Sequence, residues 1–197
     1  MITFIDLSPS EPYQLFKYLY DKAEASEKIV EAICISSFDE RLSEVQSRFV
    51  NLKYVKNDEW IFFSNYNSPK AFQFKHHNQI AATFFWPSIN SQIRIKAKVF
   101  KTSKKFSDEH YLSRDKDKNK LAHLSEQSEQ IISYEEMINK FDSVENPADF
   151  NLRPKYWGGY SFKPYYFEFW EGHKSRINRR KVFKFEKGIW SSYFLQP

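Results

Sequence analysis

A chain of 197 residues, 41% hydrophobic and 28% charged, can bury a core within one domain and stay dissolved, which argues against disorder. No apolar run reaches the length of a membrane span, and Met1-Ile2-Thr3-Phe4 lacks a charged-then-apolar leader pattern, so a cytoplasmic protein is expected. Cys34 is the single cysteine, which excludes an intrachain disulfide and any thiolate-rich zinc or iron–sulfur site within one chain.

The first helix is predicted from about Ser10 to Glu24, with Ser10 as N-cap, Pro12 in the first turn, and Tyr13, Phe16, Leu19 and Tyr20 on one face. Ile29–Ser36 reads as a strand, and Arg48–Val55 and Trp60–Ser64 as a pair joined by Lys56-Asn57-Asp58. Ser68-Pro69 opens a short helix to about His77. Ile80–Trp86 is a continuous apolar strand. In Gln92–Phe100, Ile93, Ile95, Ala97 and Val99 alternate with Arg94, Lys96 and Lys98, a strand with one wet face.

The middle of the chain turns helical, near Ser107–Leu112, at Lys118–Ser125, and from the capping box at Ser133 to a point before Asn146-Pro147. Strands return at Tyr156–Phe162, Tyr165–Glu171, Arg180–Glu186 and Ile189–Phe194. Adjacent strands with helices set aside predict an α+β, mainly β barrel rather than a parallel α/β sheet. One domain is expected over residues 1–197, with an N-terminal helix at about 10–25 and a helical insert at about 105–146.

Twenty Phe, twelve Tyr and five Trp stand against four Gly, a composition that favours strands and stacks well on flat rings, and that an AT-rich genome also produces. Residues 163–187 hold eight Lys and Arg against three Glu, numerically the whole net charge of +5. Such a patch suits phosphate, on nucleic acid or on a small cofactor, and equally a solvated face.

Phosphate-binding loops, dinucleotide fingerprints, nucleophile elbows and zinc-protease motifs are all absent. His76-His77 are adjacent and do not share a helix face, so no metal site is expected there. Cys34, within Ile33-Cys34-Ile35, is expected to be a buried inert thiol. Arg48 and Lys53, five apart, should point to opposite faces of a regular strand and serve two adjoining anion sites. Lys70 lies in the first turn of a helix, where free N–H groups already favour a phosphate. Gln92 and Gln127 each offer a donor and an acceptor to the edge of a heterocycle.

Together these residues resemble a family. Arg48-Phe49-Val50-Asn51-Leu52-Lys53 resembles the Arg-x-Val-Leu-Leu-Lys strand of the pyridoxamine 5'-phosphate oxidases. Phe63-Ser64-Asn65-Tyr66-Asn67-Ser68-Pro69-Lys70-Ala71 is similar to their Tyr-Thr-Asn-x-x-Ser-Arg-Lys-Ala. Phe84-Phe85-Trp86-Pro87, Gln92-Ile93-Arg94-Ile95 and Ser125-Glu126-Gln127-Ser128 follow in family order. So do Tyr156-Trp157-Gly158-Gly159-Tyr160, Glu168-Phe169-Trp170-Glu171-Gly172 and Arg176-Ile177-Asn178-Arg179-Arg180. The likeness runs over roughly residues 8–197.

The resemblance implies an FMN-binding split β-barrel with peripheral helices, dimerising so that two FMN molecules sit in clefts at the subunit interface. The implied FMN contacts are Arg48, Val50, Lys53, Phe63, Ser64, Lys70, Gln92, Gln127, Ser128, Trp170 and Arg180. The implied substrate contacts are Lys53, His110, Arg114, Lys118 and Arg176, with Arg176 and Asn178 at the catalytic positions. The implied reaction oxidises pyridoxamine or pyridoxine 5'-phosphate by hydride transfer to the flavin. Dioxygen then reoxidises the flavin, giving pyridoxal 5'-phosphate and hydrogen peroxide.

The sequence departs from the family at several positions. Pro69 stands for a phosphate-binding Arg, His110 and Lys118 for a Tyr and a Ser around the substrate phosphate, Glu171 for Gln, Asn178 for His and Arg179 for Asp. With the first helix expected close to Met1, the family's N-terminal substrate-covering segment is expected to be absent. Two alternatives therefore stay open beside the B6 oxidase: a related oxidase with another substrate, of the phenazine-biosynthesis type, and a non-catalytic flavin-binding protein. Nucleic acid and membrane are not expected partners, since no nucleic-acid motif accompanies the basic region and Arg176 and Arg180 have roles in the resemblance.

Overall fold

In β6 (Ser91–Lys101) Ile93, Ile95, Ala97 and Val99 are buried while Arg94, Lys96 and Lys98 face water, as the period-two pattern predicts. The same logic builds a closed ring in this computed structural model, which describes residues 1–144 and 150–197. β3 (Glu44–Lys56) pairs with β2 (Ala32–Asp39), β2 with β5 (Gln79–Trp86), and β5 with β6. β6 then pairs with β7 (Trp157–Glu171), β7 with β4 (Glu59–Asn65), and β4 returns to β3. All six contacts are antiparallel, so the expected barrel is present. Beyond the ring, β8 (Arg179–Glu186) and β9 (Ile189–Leu195) extend the sheet from β7.

The aromatic residues fill this ring. Helix α1 (Glu11–Glu24) buries Tyr13, Phe16, Leu19, Tyr20 and Ala23, the face its spacing predicts. Phe16 is fully buried, 4.3 Å from the Trp60 ring and 5.4 Å from Phe84. Burial of one such side chain stabilises by roughly 1.5–3 kcal/mol, so this helix is held chiefly by its aromatic stripe.

Further α-helices among the described residues are α2 (Pro69–His76), α3 (Lys104–Ser113), α4 (Lys116–Leu124) and α5 (Tyr134–Asp142). The end expected for the last one, at Asn146-Pro147, lies outside the described residues. Ser103, Asp115 and Ser133 cap their helices by accepting backbone N–H groups. Ser10 and Ser68 occupy N-cap positions without capping. Among the described residues no helix is long and apolar enough to cross a membrane.

Several expectations need correction. The two strands expected at Tyr156–Phe162 and Tyr165–Glu171 are one strand, β7, running through Pro164. β4 accompanies it up to Phe162 and β8 from Tyr166 onward, so Pro164 falls where β7 changes neighbours and its missing N–H breaks no ladder on that side. A short parallel strand, β1 (Thr3–Ile5) beside β3, is legible in no local pattern. Cys34 is only half-buried, because Ile33 and Ile35 take the inward positions of β2 and turn the thiol outward.

Candidate functional site

Cations without acidic partners among the described residues mark the first part of the site. A cavity of about 810 Å³ opens between β3, the end of β4, the start of α2, and the α3–α4 region. It is within the size range of cofactor sites. On one side stand Arg48 from β3 and Lys70 from the first turn of α2. Arg48 donates to Ser37 Oγ (2.6 Å) and Gln73 Oε1 (2.9 Å), and Lys70 Nζ to Ser64 Oγ (3.1 Å) and Ser68 Oγ (3.2 Å). Every one of these partners is neutral. Burial, with the Arg48 guanidinium adding to it, pushes the Lys70 ammonium down to about 8. Two cations held this way favour an anion of high charge.

Ser68 explains why the expected cap is missing. Its hydroxyl donates to Asn65 O (2.7 Å) and accepts from Lys70, so it anchors the lysine instead of closing the helix end. At this helix end Pro69 has no N–H, and Ala71 and Phe72 give theirs to Ser68 O (2.9 and 3.2 Å), so the charge offered here is that of the Lys70 side chain. Pro69 takes the first helical position and lines the same cavity.

The opposite wall is aromatic. His110 stacks on Phe63 with ring centroids 3.7 Å apart, and Trp157 stacks on Phe63 at 5.3 Å. Tyr54 Oη lies 2.9 Å from His110 Nδ1. Burial, then Arg114 and Lys53, push the imidazole down to about 4, so it is neutral near pH 7. Phe63 and Ser64 pair across the ring with Gly159 and Gly158. A Cβ on Gly159 would collide with Thr102 and crowd Phe63, and one on Gly158 would run into Tyr66, so this wall requires the Gly-Gly pair.

Arg114 spans the far end, its guanidinium 4.2 Å over Trp157 and one nitrogen donating to Lys118 O. Among the described residues its Nη1 is buried without a hydrogen-bond partner, which marks a place for an acceptor. Lys53 and Lys118 line the cavity nearby, as do Val50, Gln127 and Ser128. Gln127 Oε1 accepts from Ser64 Oγ and from the Asn65 N–H, which directs its amide inward. Ser128 sits in the left-handed region at φ 74°.

Arg48 and Lys53 do not point to opposite faces of a regular strand. A β-bulge between Leu52 and Tyr54 resets the alternation, and both residues line the same cavity.

The remaining expected residues do not line the cavity. Gln92, Trp170 and Arg180 sit in register on β6, β7 and β8, one beside the next. Arg180 is fixed by Glu168, whose buried carboxylate also takes Arg94 (2.9 Å) and the Tyr166 hydroxyl (3.0 Å). Arg176 and Asn178 belong to the loop between β7 and β8. Asn178 Oδ1 accepts the His173 N–H (3.0 Å), and His173 Nδ1 accepts the Ser175 N–H (3.1 Å). This lacing holds Arg176 at φ 59° with its side chain exposed.

Sequence reasoning missed Trp157, Tyr54 and Gln73. Trp157 and Tyr54 had a signal, one in a quoted block and the other beside Lys53. Gln73 had a weaker one, three residues after Lys70 and so on the same helix face.

Residues 157–197 match the model of the pyridoxine 5'-phosphate oxidase C-terminal dimerisation region. Over 98% of this chain and 91% of the relative, the sequence is 34% identical to a pyridoxine/pyridoxamine 5'-phosphate oxidase of Cytophaga hutchinsonii. It is 36% identical to one of Haemophilus influenzae, over 84% of this chain and 79% of the relative. In fold, the chain is similar to PhzG from Burkholderia lata, solved with tetrahydrophenazine-1-carboxylic acid. The TM-score is 0.85 at 21% identity, covering 96% of this chain and 94% of that one. A pyridoxamine 5'-phosphate oxidase-related, FMN-binding protein from Nostoc punctiforme superimposes with a TM-score of 0.81 at 12% identity, covering 95% and 99%.

Proposed function

Since the chain belongs to the pyridoxine/pyridoxamine 5'-phosphate oxidase family, we propose that it is an FMN-dependent oxidase of pyridoxine or pyridoxamine 5'-phosphate, acting as a homodimer. The observation that carries this reading is the pair Arg48 and Lys70, two cations with only neutral partners at the wall of one cavity. They match a phosphate dianion, and Arg114 Nη1 at the far end, without a partner among the described residues, matches a second anion. One cavity thus suits both a phosphorylated cofactor and a phosphorylated substrate.

The division of the site residues supports the dimer. Gln92, Trp170, Arg176 and Arg180 of the partner subunit would complete each cleft, facing the cavity residues of the first. Exposed apolar side chains Val45 and Phe49 on β3 and Phe85 on β5 give such an interface material to bury.

Arg48, Lys70 and Ser64 bind the cofactor phosphate, while Gln127 and the partner subunit's Gln92 present amides to the pyrimidine edge of the flavin. Lys53, Arg114 and Lys118 hold the substrate phosphate. With the Tyr54 hydroxyl donated to Nδ1, neutral His110 carries its proton on Nε2 and can donate it to that phosphate. The partner subunit's Arg176 orients the reacting carbon. When bound, FMN supplies the chemistry: it accepts a hydride from the carbon bearing the amine or alcohol and passes the electrons to dioxygen.

Asn178 favours a second reading, the same flavin chemistry on a different anionic substrate. Its acceptor is spent on the loop backbone, and no titratable group stands in its place. The test is to reduce the bound flavin anaerobically with pyridoxine or pyridoxamine 5'-phosphate and then admit air. Bleaching followed by recovery, with pyridoxal 5'-phosphate formed, is expected. A flavin that binds but stays oxidised selects the second reading, and protein that binds no flavin refutes both.

A further inference from the structure

Gln73 is 1% exposed on α2, in the space between that helix and strands β2 and β3. Its amide is fully used. Oε1 accepts from Ser37 Oγ (2.5 Å) and from Arg48 (2.9 Å), while Nε2 donates to Gln46 Oε1 (2.9 Å) and Asp39 Oδ2 (3.2 Å). A flipped amide would set its NH2 group against the guanidinium, so the two donors and two acceptors around it fix one orientation.

Asp39 is the acidic group of this network, and it is also 1% exposed. Its charge is answered away from the cavity by Arg41, through Oδ2 (3.0 Å), Oδ1 (3.2 Å) and the Arg41 N–H (3.1 Å). Arg41 is held in turn over the Phe72 ring, 3.6 Å from its centroid. Two arginines and one carboxylate therefore share a small region, with a neutral amide between the carboxylate and one arginine.

We propose that Gln73 is a positioning residue for the cofactor's phosphate: it aims the Arg48 guanidinium with a neutral acceptor and keeps it apart from Asp39, so that the charge of Arg48 is left for the ligand. This rests on the reading of the cavity as the FMN site. A carboxylate at position 73 could still accept from Arg48 and Ser37, but it would pair with the guanidinium's charge, turn an acceptor toward Asp39 and Gln46, and repel a dianion.

The experiment titrates full-length protein, stripped of flavin, with FMN and with riboflavin, which carries the same ring system without the phosphate. Wild type should bind FMN much more tightly. In Gln73→Glu, FMN affinity should fall by at least about tenfold, while riboflavin affinity stays within about threefold, the pattern of a lost charge-assisted contact. Gln73→Met, neutral and similar in length, loses the acceptor without adding charge and should lose less FMN affinity than Gln73→Glu. It carries the test by its own FMN-to-riboflavin ratio if the glutamate variant fails to fold.

A wild-type FMN-to-riboflavin ratio in Gln73→Glu, or in Gln73→Met where only that variant folds, overturns the role of Gln73 and leaves the site reading intact. Equal loss of both ligands overturns it too, since that is what general damage to the cavity would produce. If wild type itself does not prefer FMN, the site reading falls, and the role of Gln73 with it.

Discussion

His110 lies flat against Phe63, ring centroids 3.7 Å apart and planes 14° from parallel, while its Nδ1 meets the Tyr54 hydroxyl. Burial first, and then Arg114 and Lys53, lower the ring to about 4, so it stays neutral at a site otherwise built of cations.

Stability should consequently fall as the medium is acidified. An unfolded His takes up a proton near pH 6.5, whereas folded His110 resists until about 4, so within that window the unfolded state binds more protons. Relative to His110→Phe, wild type should lose about 1–2 kcal/mol between pH 6.5 and 4, after discounting for partial exposure. Urea unfolding of both proteins across this range measures it. Parallel curves would show that the imidazole is not desolvated.

Lys70 sets an upper pH limit on cofactor affinity. Because its pKa in the empty site is about 8 and a bound dianion would raise it, binding above pH 8 must take up a proton. FMN affinity should be level below pH 8 and weaken about tenfold per pH unit above it. Lys70→Met should bind weakly with a flat profile over the same range. A wild-type profile equally flat to pH 10 would exclude this assignment.

Gly159→Ala should be among the most damaging single changes outside the core. The new methyl meets Thr102 and Phe63 between two paired strands, and both neighbours are fixed by packing. A cost of about 1–3 kcal/mol is expected, with weakened flavin binding because Phe63 lines the cavity. Thermal unfolding with and without FMN separates the two effects, and an unshifted midpoint in both would contradict the packing account.

Asn178→Ala should loosen the loop between β7 and β8, since the His173 N–H loses its acceptor. Trypsin should then cut faster at Lys174 and Arg176, which are exposed, while Asn178→Asp keeps the acceptor and the wild-type rate. Arg176→Ala should retain flavin but lose most turnover. Colourless Arg176→Ala protein would place this arginine with the cofactor instead.

The sequence was most informative where side chains alternate between two environments. β6 and the buried face of α1 could be assigned from local patterns because burial there has a simple period. Pro164 misled because proline normally ends a strand, and its tolerance here depends on a change of neighbours that only the three-dimensional pairing shows. The Leu52–Tyr54 bulge was equally hidden, which is why Arg48 and Lys53 were expected to face apart. Among the site residues, charged and amide groups in recognisable blocks were identified, and all those expected from residues 48 to 128 except Gln92 line one cavity. Gln73 was overlooked because its importance lies in four contacts with β2 and β3, and nothing in α2 alone encodes them.

β7 pairs with β4, β6 and β8, so the ring closes only through a strand made late in the chain. The β4–β7 ladder joins positions about a hundred residues apart, a contact of high order whose loop-closure entropy must be met before it gains anything. Until β7 is synthesised, β4 and β6 have open edges that can pair with other chains. Folding should therefore be slow and concentration-sensitive, with a nascent chain exposed to mispairing until its last quarter leaves the ribosome.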